Sequence, residues 1–569
     1  MVSKETFPSS MPIVLFVCSA VSILLAYVIP VDTFVVSFNK ILWHTFYNDY
    51  LAFVGLLLFV AGLLCTKQKL YVTPVAMVLL LIACIPLLQW VLGVIFFWGD
   101  AFVAFAYVAG AGLAFFCGTN SVFQGQRQRI LFSFAVLFLL LGLISFYMSL
   151  YQFFQLDYGN GLIYQNTDGA RIFGNLRQPN NFSSLLMMSL LFVWYLFEKK
   201  CYSRTIWLLL TLCMVTAIVL VQSRTSILVM VLVFFFFLFS RRKIQFRASI
   251  VDIVMIIVAY SVLRIAFQAL GDAVFTKELV GVAKNVYAFS DSSRLLIWYE
   301  ALKAIVDGPF WGYGWNQVGL AQVLLDSDLT KVLHFRQSHN LFLDIILWNG
   351  PAIGLSLIFA LIVFIWRSAC DCRSVEDWIL LVVVGALFTH AMVEYPLHYA
   401  HFLLPIVFLI GLFDKKGAHA KGVISVSPVL ICGVTMFATF LLITVVNDFG
   451  VIEKKTQTAH TDLRQYDIRI KTHKTLDDIV LLTQLRELLK FSKEEITLGV
   501  SEDDIIRFKK VSHRFPSPLA LSYYAKACYV NGQQGEASRV LNVIRRLFGE
   551  DEYLYAKLFV YGEKISNKK

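Results

Sequence analysis

A few residues in this chain have types and positions suited to chemistry. Arg224 lies in VQSRTSI, Arg294 heads the segment RLLIWYEALKAI, and His339 opens an apolar run in QSHNLFLDIILWNG. Glu394, Tyr395, His398 and Tyr399 close another run in VEYPLHYAHF, and Arg171, Arg177, Gln178 and Asn180 fall in a polar stretch. A guanidinium carries permanent charge and a planar fork of donors suited to anionic oxygens, whereas an imidazole carries a titratable lone pair. Each has a bland explanation. Arg224 is placed to snorkel to a membrane interface, Arg294 to meet lipid phosphate nonspecifically, and His339 to sit at an interface. Gln178, followed by Pro179, Asn180 and Asn181, has the composition of a turn. What favours a site is that all of these sort to the ends of apolar runs facing one side, where burying them unpaired costs several kcal/mol.

Two metal readings are weaker. His390, Glu394, His398 and His401 recur at near-helical spacing, but Pro396 ends or kinks a helix and spoils the shared face. Asp326 and Asp328 form a DxD that, on a solvated loop, reads as surface. The ten cysteines lie mostly in or beside apolar runs and suggest no disulfide framework. Neither a metal nor a cofactor is called for.

The elements that must position these residues follow from composition. With 58% hydrophobic and 15% charged residues and a mean hydropathy of +0.70, the chain is an integral membrane protein, which excludes a soluble enzyme. Apolar runs of roughly 17 to 25 residues fit spanning helices and exclude a porin-like barrel. The runs lie near 11–30, 50–65, 71–97, 101–117, 129–154, 183–198, 205–221, 226–239, 248–267, 341–366, 377–397, 400–413 and 424–446, about thirteen helices. The first is read as a retained helix rather than a cleaved signal. With the N-terminus in the cytoplasm, the even-numbered connections hold sixteen Lys and Arg and the short odd-numbered ones four, Lys40, Arg171, Arg177 and Arg224. The net charge of +11 therefore marks topology rather than nucleic-acid binding, and all the residues above face the periplasm together with the C-terminus.

The core is expected over 1–446, with long periplasmic connections at 155–182 and 268–340. In the second of these, Leu295, Trp298, Leu302 and Ile305 define an amphipathic helix on the membrane surface. From Asn447 to Lys569 the composition turns to mixed charge. LSYYAKACYVNGQQGEASRVL, Leu521 to Leu541, weakly resembles a tetratricopeptide unit, so 447–569 reads as a periplasmic helical domain.

RIFGNLRQPNNFSSLL, VQSRTSI, SSRLLIWYEALKAIVDGPFWGYGWNQ and SHNLFLDIILWNG, in that order, resemble the O-antigen ligase and polymerase superfamily, with the hallmark region at 221–413. NLRQPNN and the long C-terminal region resemble its pilin-glycosylating branch, the bacterial protein O-oligosaccharyltransferases. The resemblance implies an all-α polytopic fold with a glycosyltransferase C-type core in the bacterial inner membrane. The implied reaction is en bloc transfer of an oligosaccharide from undecaprenyl diphosphate to a Ser or Thr hydroxyl of a pilin-like protein. Arg224 and Arg294 would stabilise the departing diphosphate without a metal. His339 would act as general base or as a diphosphate ligand, with Gln178 and either Tyr395 or Tyr399 orienting sugar or acceptor. A lipopolysaccharide ligase or polysaccharide polymerase would use the same residues on another acceptor, although the long C-terminal region speaks against a lipid acceptor. A transporter would show repeated halves and midplane charges, and neither is evident.

Overall fold

The computed structural model describes residues 11–31, 43–156, 161–165, 171–274, 290–325, 334–414, 422–463, 475–492, 496 and 500–562. In chain order the helices are α1 (Met11–Val28), α2 (Phe46–Cys65), α3 (Pro74–Val91), α4 (Trp98–Phe123), α5 (Arg127–Phe153), α6 (Pro179–Glu198), α7 (Arg204–Val221), α8 (Arg224–Ser240), α9 (Ile250–Val274) and α10 (Ser290–Asp307). They continue with α11 (Val318–Leu324), α12 (Leu341–Cys370), α13 (Val375–Ala391), α14 (Ala400–Phe413), α15 (Pro428–Leu463), α16 (Thr483–Phe491), α17 (Glu502–Arg514), α18 (Pro518–Val530), α19 (Gln534–Phe548) and α20 (Glu550–Tyr561). Two short strands, β1 (Leu70–Val72) and β2 (Ile424–Val426), pair antiparallel with Leu70 opposite Val426.

Long apolar runs become helices because only a helix satisfies its own backbone where no water is present. Each of the thirteen runs coincides with a helix, and ten of these helices are long and apolar enough to cross a membrane. Of the others, α8 and α14 have only 17 and 14 residues, and the 17-residue α13 begins with Glu376 and Asp377.

The run at 341–366 is broken. Gly350 takes φ 75° and Pro351 follows it. Pro351 has no N–H for the carbonyl of Leu347. The backbone N–H of Tyr313 bonds that carbonyl instead, at 2.7 Å, while Gly314 N–H and the Gln89 amide donate to Trp348 O at 3.2 and 2.8 Å. A Cβ on Gly350 would stand 1.9 Å from Phe310 O. The break thus clamps the 310–314 turn, and α10 before it, against α12.

α10 is turned from the expected face. Ile297, Ala301 and Ala304 are buried, and the Trp298 indole donates to Ser338 O at 3.1 Å. Leu295, Tyr299, Leu302 and Val306 form the exposed apolar stripe, so Trp298 and Ile305 give way to Tyr299 and Val306.

The connections rich in Lys and Arg gather on one face. Arg127 donates to Asp377 Oδ1 and Leu412 O at 2.7 and 2.9 Å, and Lys199 pairs with Glu376. Glu198 accepts the backbone N–H groups of Arg247 and Ala248, at 2.6 and 3.0 Å. The β1–β2 pair ties the connection after α2 to the segment before α15.

The change of composition at Asn447 does not end a helix, because α15 runs through it to Leu463. The carboxylate of Asp448 then accepts the N–H groups of Val480, Leu481 and Leu482, at 3.1, 2.6 and 3.0 Å. α18 and α19 pack as a hairpin through a turn at Gly532, burying Leu521, Ala525, Cys528, Val540, Leu541 and Ile544. Arg514 grips buried Asp100, at the start of α4, through two bonds of 2.7 Å. This fastens the C-terminal helices to the core.

Candidate functional site

Three helices are entered in the same way. Arg177, Gln222 and His339 have φ of 57°, 55° and 57°, and the N-caps that follow them are Gln178 for α6, Ser223 for α8 and Asn340 for α12. A non-glycine residue pays strain in the left-handed region, so a glycine would be the cheaper choice for each sharp entry. Gln178 caps its helix by accepting Asn181 N–H at 2.5 Å, and Asn340 accepts the N–H groups of Phe342 and Leu343 at 3.0 and 3.2 Å.

Two of the entries meet at Glu394, which is buried in the connection between α13 and α14, and the entry of α8 reaches it through Asn180. One carboxylate oxygen accepts Arg294 of α10 and the amide of Asn180 at 3.0 Å; the other meets His339 Nδ1 at 2.8 Å. Asn180 Oδ1 in turn accepts Ser223 Oγ at 2.9 Å and Arg171 Nη2 at 3.3 Å, and Arg171 also donates to Gln222 O at 3.3 Å. Burial pushes the Glu394 carboxyl up, but the hydrogen bond from His339 and the charges of His339 and Arg294 outweigh it and hold the group below the usual carboxylate range. With a carboxylate at Nδ1, the imidazole keeps its proton on that nitrogen, and any proton transfer runs through Nε2. The positive ends of α6, α8 and α12 add to Arg294 and Arg171 in favouring an anion.

The remaining expected residues are distributed as follows. Arg224 is the first residue of α8, beside Ser223, and is exposed. Arg177 lies over the ring of Tyr164, 5.2 Å from its centroid. Tyr395 meets the His339 ring edge-on at 5.0 Å, whereas Tyr399 stands one ring farther, 6.1 Å from Tyr395, and is buried. Burial and the nearby Glu394 charge raise the Tyr395 phenol above its ordinary value.

The four residues of the His and Glu series face different elements. His390 Nδ1 meets Ser184 Oγ at 2.7 Å, His401 Nδ1 meets Asp49 at 3.0 Å, and His398 faces Asp344 at 3.6 Å. Asp326 and Asp328 lie outside the described residues.

Sequence reasoning missed Ser223, hidden in the SRT triplet, and Asp344, which reads as an ordinary first-turn acid. Glu394 reads from the sequence as one more polar residue at the end of an apolar run, with nothing there to show that it joins the others. The entry φ angles have no signature in the sequence.

Three family models match the chain: O-Antigen ligase over residues 209–359, Virulence factor membrane-bound polymerase, C-terminal, over 378–559, and Protein glycosylation ligase over 172–197. The chain is similar to two proteins of Acinetobacter baylyi (strain ATCC 33305 / BD413 / ADP1). One is a ComP-specific O-oligosaccharyltransferase, 27% identical over 521 residues, covering 90% of this chain and 92% of the relative. The other is a general O-oligosaccharyltransferase, 26% identical over 521 residues, covering 90% and 89%.

Proposed function

We propose that this chain, a multi-pass membrane glycosyltransferase of the O-oligosaccharyltransferase kind, transfers an oligosaccharide en bloc from undecaprenyl diphosphate to a Ser or Thr hydroxyl of a pilin-like protein. The transfer occurs at the periplasmic face of the bacterial inner membrane. The observation that carries this reading is the junction at Glu394 of His339, Arg294 and Asn180, surrounded by the starts of three helices. No soluble acceptor hydroxyl is nucleophilic enough unaided at neutral pH, and no diphosphate departs easily without its charge being met.

In this mechanism the acceptor oxygen attacks the anomeric carbon as His339 Nε2 takes its proton. Glu394 orients the ring and stabilises the imidazolium that forms. The bond between the anomeric carbon and the phosphate oxygen breaks, and Arg294 and Arg224 hold the negative charge that leaves with the diphosphate. Tyr395, against the His339 ring, is the tyrosine that orients substrate, with Gln178, Asn180, Arg171, Arg177 and Tyr399 lining the polar approach. The domain over 447–569 presents the acceptor, and the core over 1–446, with its thirteen spans, carries the chemistry.

A second reading is supported by the polymerase-type match over 378–559, in which the acceptor is a glycan rather than a protein. Purified enzyme, lipid-linked oligosaccharide and a pilin distinguish the two. Glycan on the pilin is the expected result; transfer only to a second saccharide would move the protein to the ligase or polymerase reading. Activity should survive EDTA, and loss reversed by one metal would overturn the arginine mechanism.

A further inference from the structure

A second imidazole shares the Tyr395 ring with the first. The Tyr395 ring is 5.0 Å from that of His339 and 5.7 Å from that of His398. His398 Nε2 faces Asp344 Oδ2 at 3.6 Å, beyond hydrogen-bond reach. Asp344 is 1% exposed and uses Oδ1 to accept the N–H of Ser338, at 2.8 Å, in the turn that carries His339. Its Oδ2 and His398 Nε2 are both buried with no hydrogen-bond partner among the described residues. Trp348, one helical turn beyond Asp344, lies with its ring 5.4 Å from His398, and its buried indole N–H also has no partner among the described residues.

Buried polar atoms that face one another unsatisfied are costly, and a group that bonds them recovers that cost. The Asp344 carboxylate disfavours an anionic occupant, so this is not a second diphosphate position. A hydroxyl meets both atoms, because its proton bonds the carboxylate while its lone pairs accept from the imidazole. An indole and a carboxylate also suit the mixed apolar and polar surface of a saccharide.

We propose that His398, Asp344 and Trp348 form a hydroxyl-binding subsite next to Tyr395, filled by a substrate hydroxyl during transfer. This rests on the glycosyl-transfer reading above. The glycan and the acceptor side chain both carry hydroxyls, and kinetics separate them.

The test compares wild type, His398→Ala, His398→Gln and Asp344→Asn, using purified lipid-linked oligosaccharide with and without acceptor protein. Asn at 344 keeps an oxygen for Ser338 N–H, and Gln at 398 restores a neutral amide. His398→Ala and Asp344→Asn should raise one KM about tenfold, about 1.4 kcal/mol, with kcat within about twofold, and His398→Gln should recover part of the loss. A raised acceptor KM with unchanged donor hydrolysis identifies the acceptor hydroxyl. A raised donor KM in both assays identifies a glycan hydroxyl. Unchanged KM values overturn the subsite and leave the gap to a structural water. A fall in kcat alone also overturns it. If wild type binds donor yet transfers to no protein, the proposed function fails instead, so the two failures are distinguishable.

Discussion

The molecule holds two clusters of opposite charges at opposite duties. On the basic face, Arg127 with Asp377, Lys199 with Glu376, and Glu198 with the backbone of Arg247 and Ala248 tie connections together. Their charges are spent on neighbouring helix ends and carbonyls. At Glu394, a single buried carboxylate holds an arginine, a histidine and an amide brought in by three separate elements. There His339 engages the carboxylate through Nδ1, and in the proposed mechanism Nε2 takes the proton. Charge type and count alone do not separate a clamp from a site. What differs here is that the clamp pairs end on helix ends and backbone, whereas the Glu394 pairing engages only Nδ1 of His339.

The comparison breaks most sharply at the arginines. Arg294→Ala should reduce transfer to near background, at least about a thousandfold, because a diphosphate transition state loses a preorganised charge and Glu394 loses its ion-pair partner. Arg224→Ala should approach the same loss, and the Lys versions should recover only part. Transfer assays on purified protein read this directly. If Arg127→Ala lowered turnover per folded molecule equally, the distinction between clamp and site would be gone.

Glu394→Gln comes next, with an expected loss of about a hundredfold or more in kcat, the range of general acid–base support. Its carboxyl is held below the ordinary range when folded. The stability it contributes is therefore present above the ordinary carboxylate pKa and is lost as pH falls through the lowered value. Thermal unfolding of wild type against pH should show that acid loss, and the Gln variant should show less of it. An unchanged acid profile would detach Glu394 from the network. His339→Ala should lose transfer while still binding the lipid-linked donor; weak donor binding instead would make the imidazole a diphosphate ligand.

Arg514→Ala and Arg127→Ala should act on stability. Each leaves a carboxylate, Asp100 or Asp377, buried without its main partner, at a cost of about 3 kcal/mol. Unfolding in detergent should register it, while the specific activity of folded Arg127→Ala stays near wild type.

Gln178→Ala is the smallest stability change, about 1 kcal/mol, since its side chain caps α6. That number sharpens the comparison, because a transfer loss far beyond what capping explains would mean that Gln178 also touches substrate.

The helices and the candidate groups are legible in the amino-acid sequence. The apolar runs report their helices because hydropathy and length are properties of single segments. Arg294, His339, Asn180 and Glu394 stand out because ionisable and amide groups at the ends of apolar runs are expensive wherever they fold. Their order of contact is not legible. Glu394 lies 214 residues from Asn180 and 55 from His339, and nothing local to EYPLHY states that its carboxylate faces both. The choice of Tyr395 over Tyr399 beside His339 depends on the tight turn over Pro396–His398, whose direction the local sequence does not state.

The sequence by itself determined a helical membrane protein, the positions of its apolar segments, the grouping of basic connections and the residue types available for phosphate and proton chemistry. Those follow from transfer free energies and from fixed charges, which act residue by residue. Tertiary structure alone decided that α12 breaks at Gly350 so that the 310–314 turn supplies the missing N–H, and that α15 runs unbroken past Asn447. It also turned Trp298 inward and set three non-glycine residues in the left-handed region at the helix entries. Each of those outcomes depends on a partner far away in sequence, whose hydrogen bond or close contact repays a local cost that the segment alone would not bear.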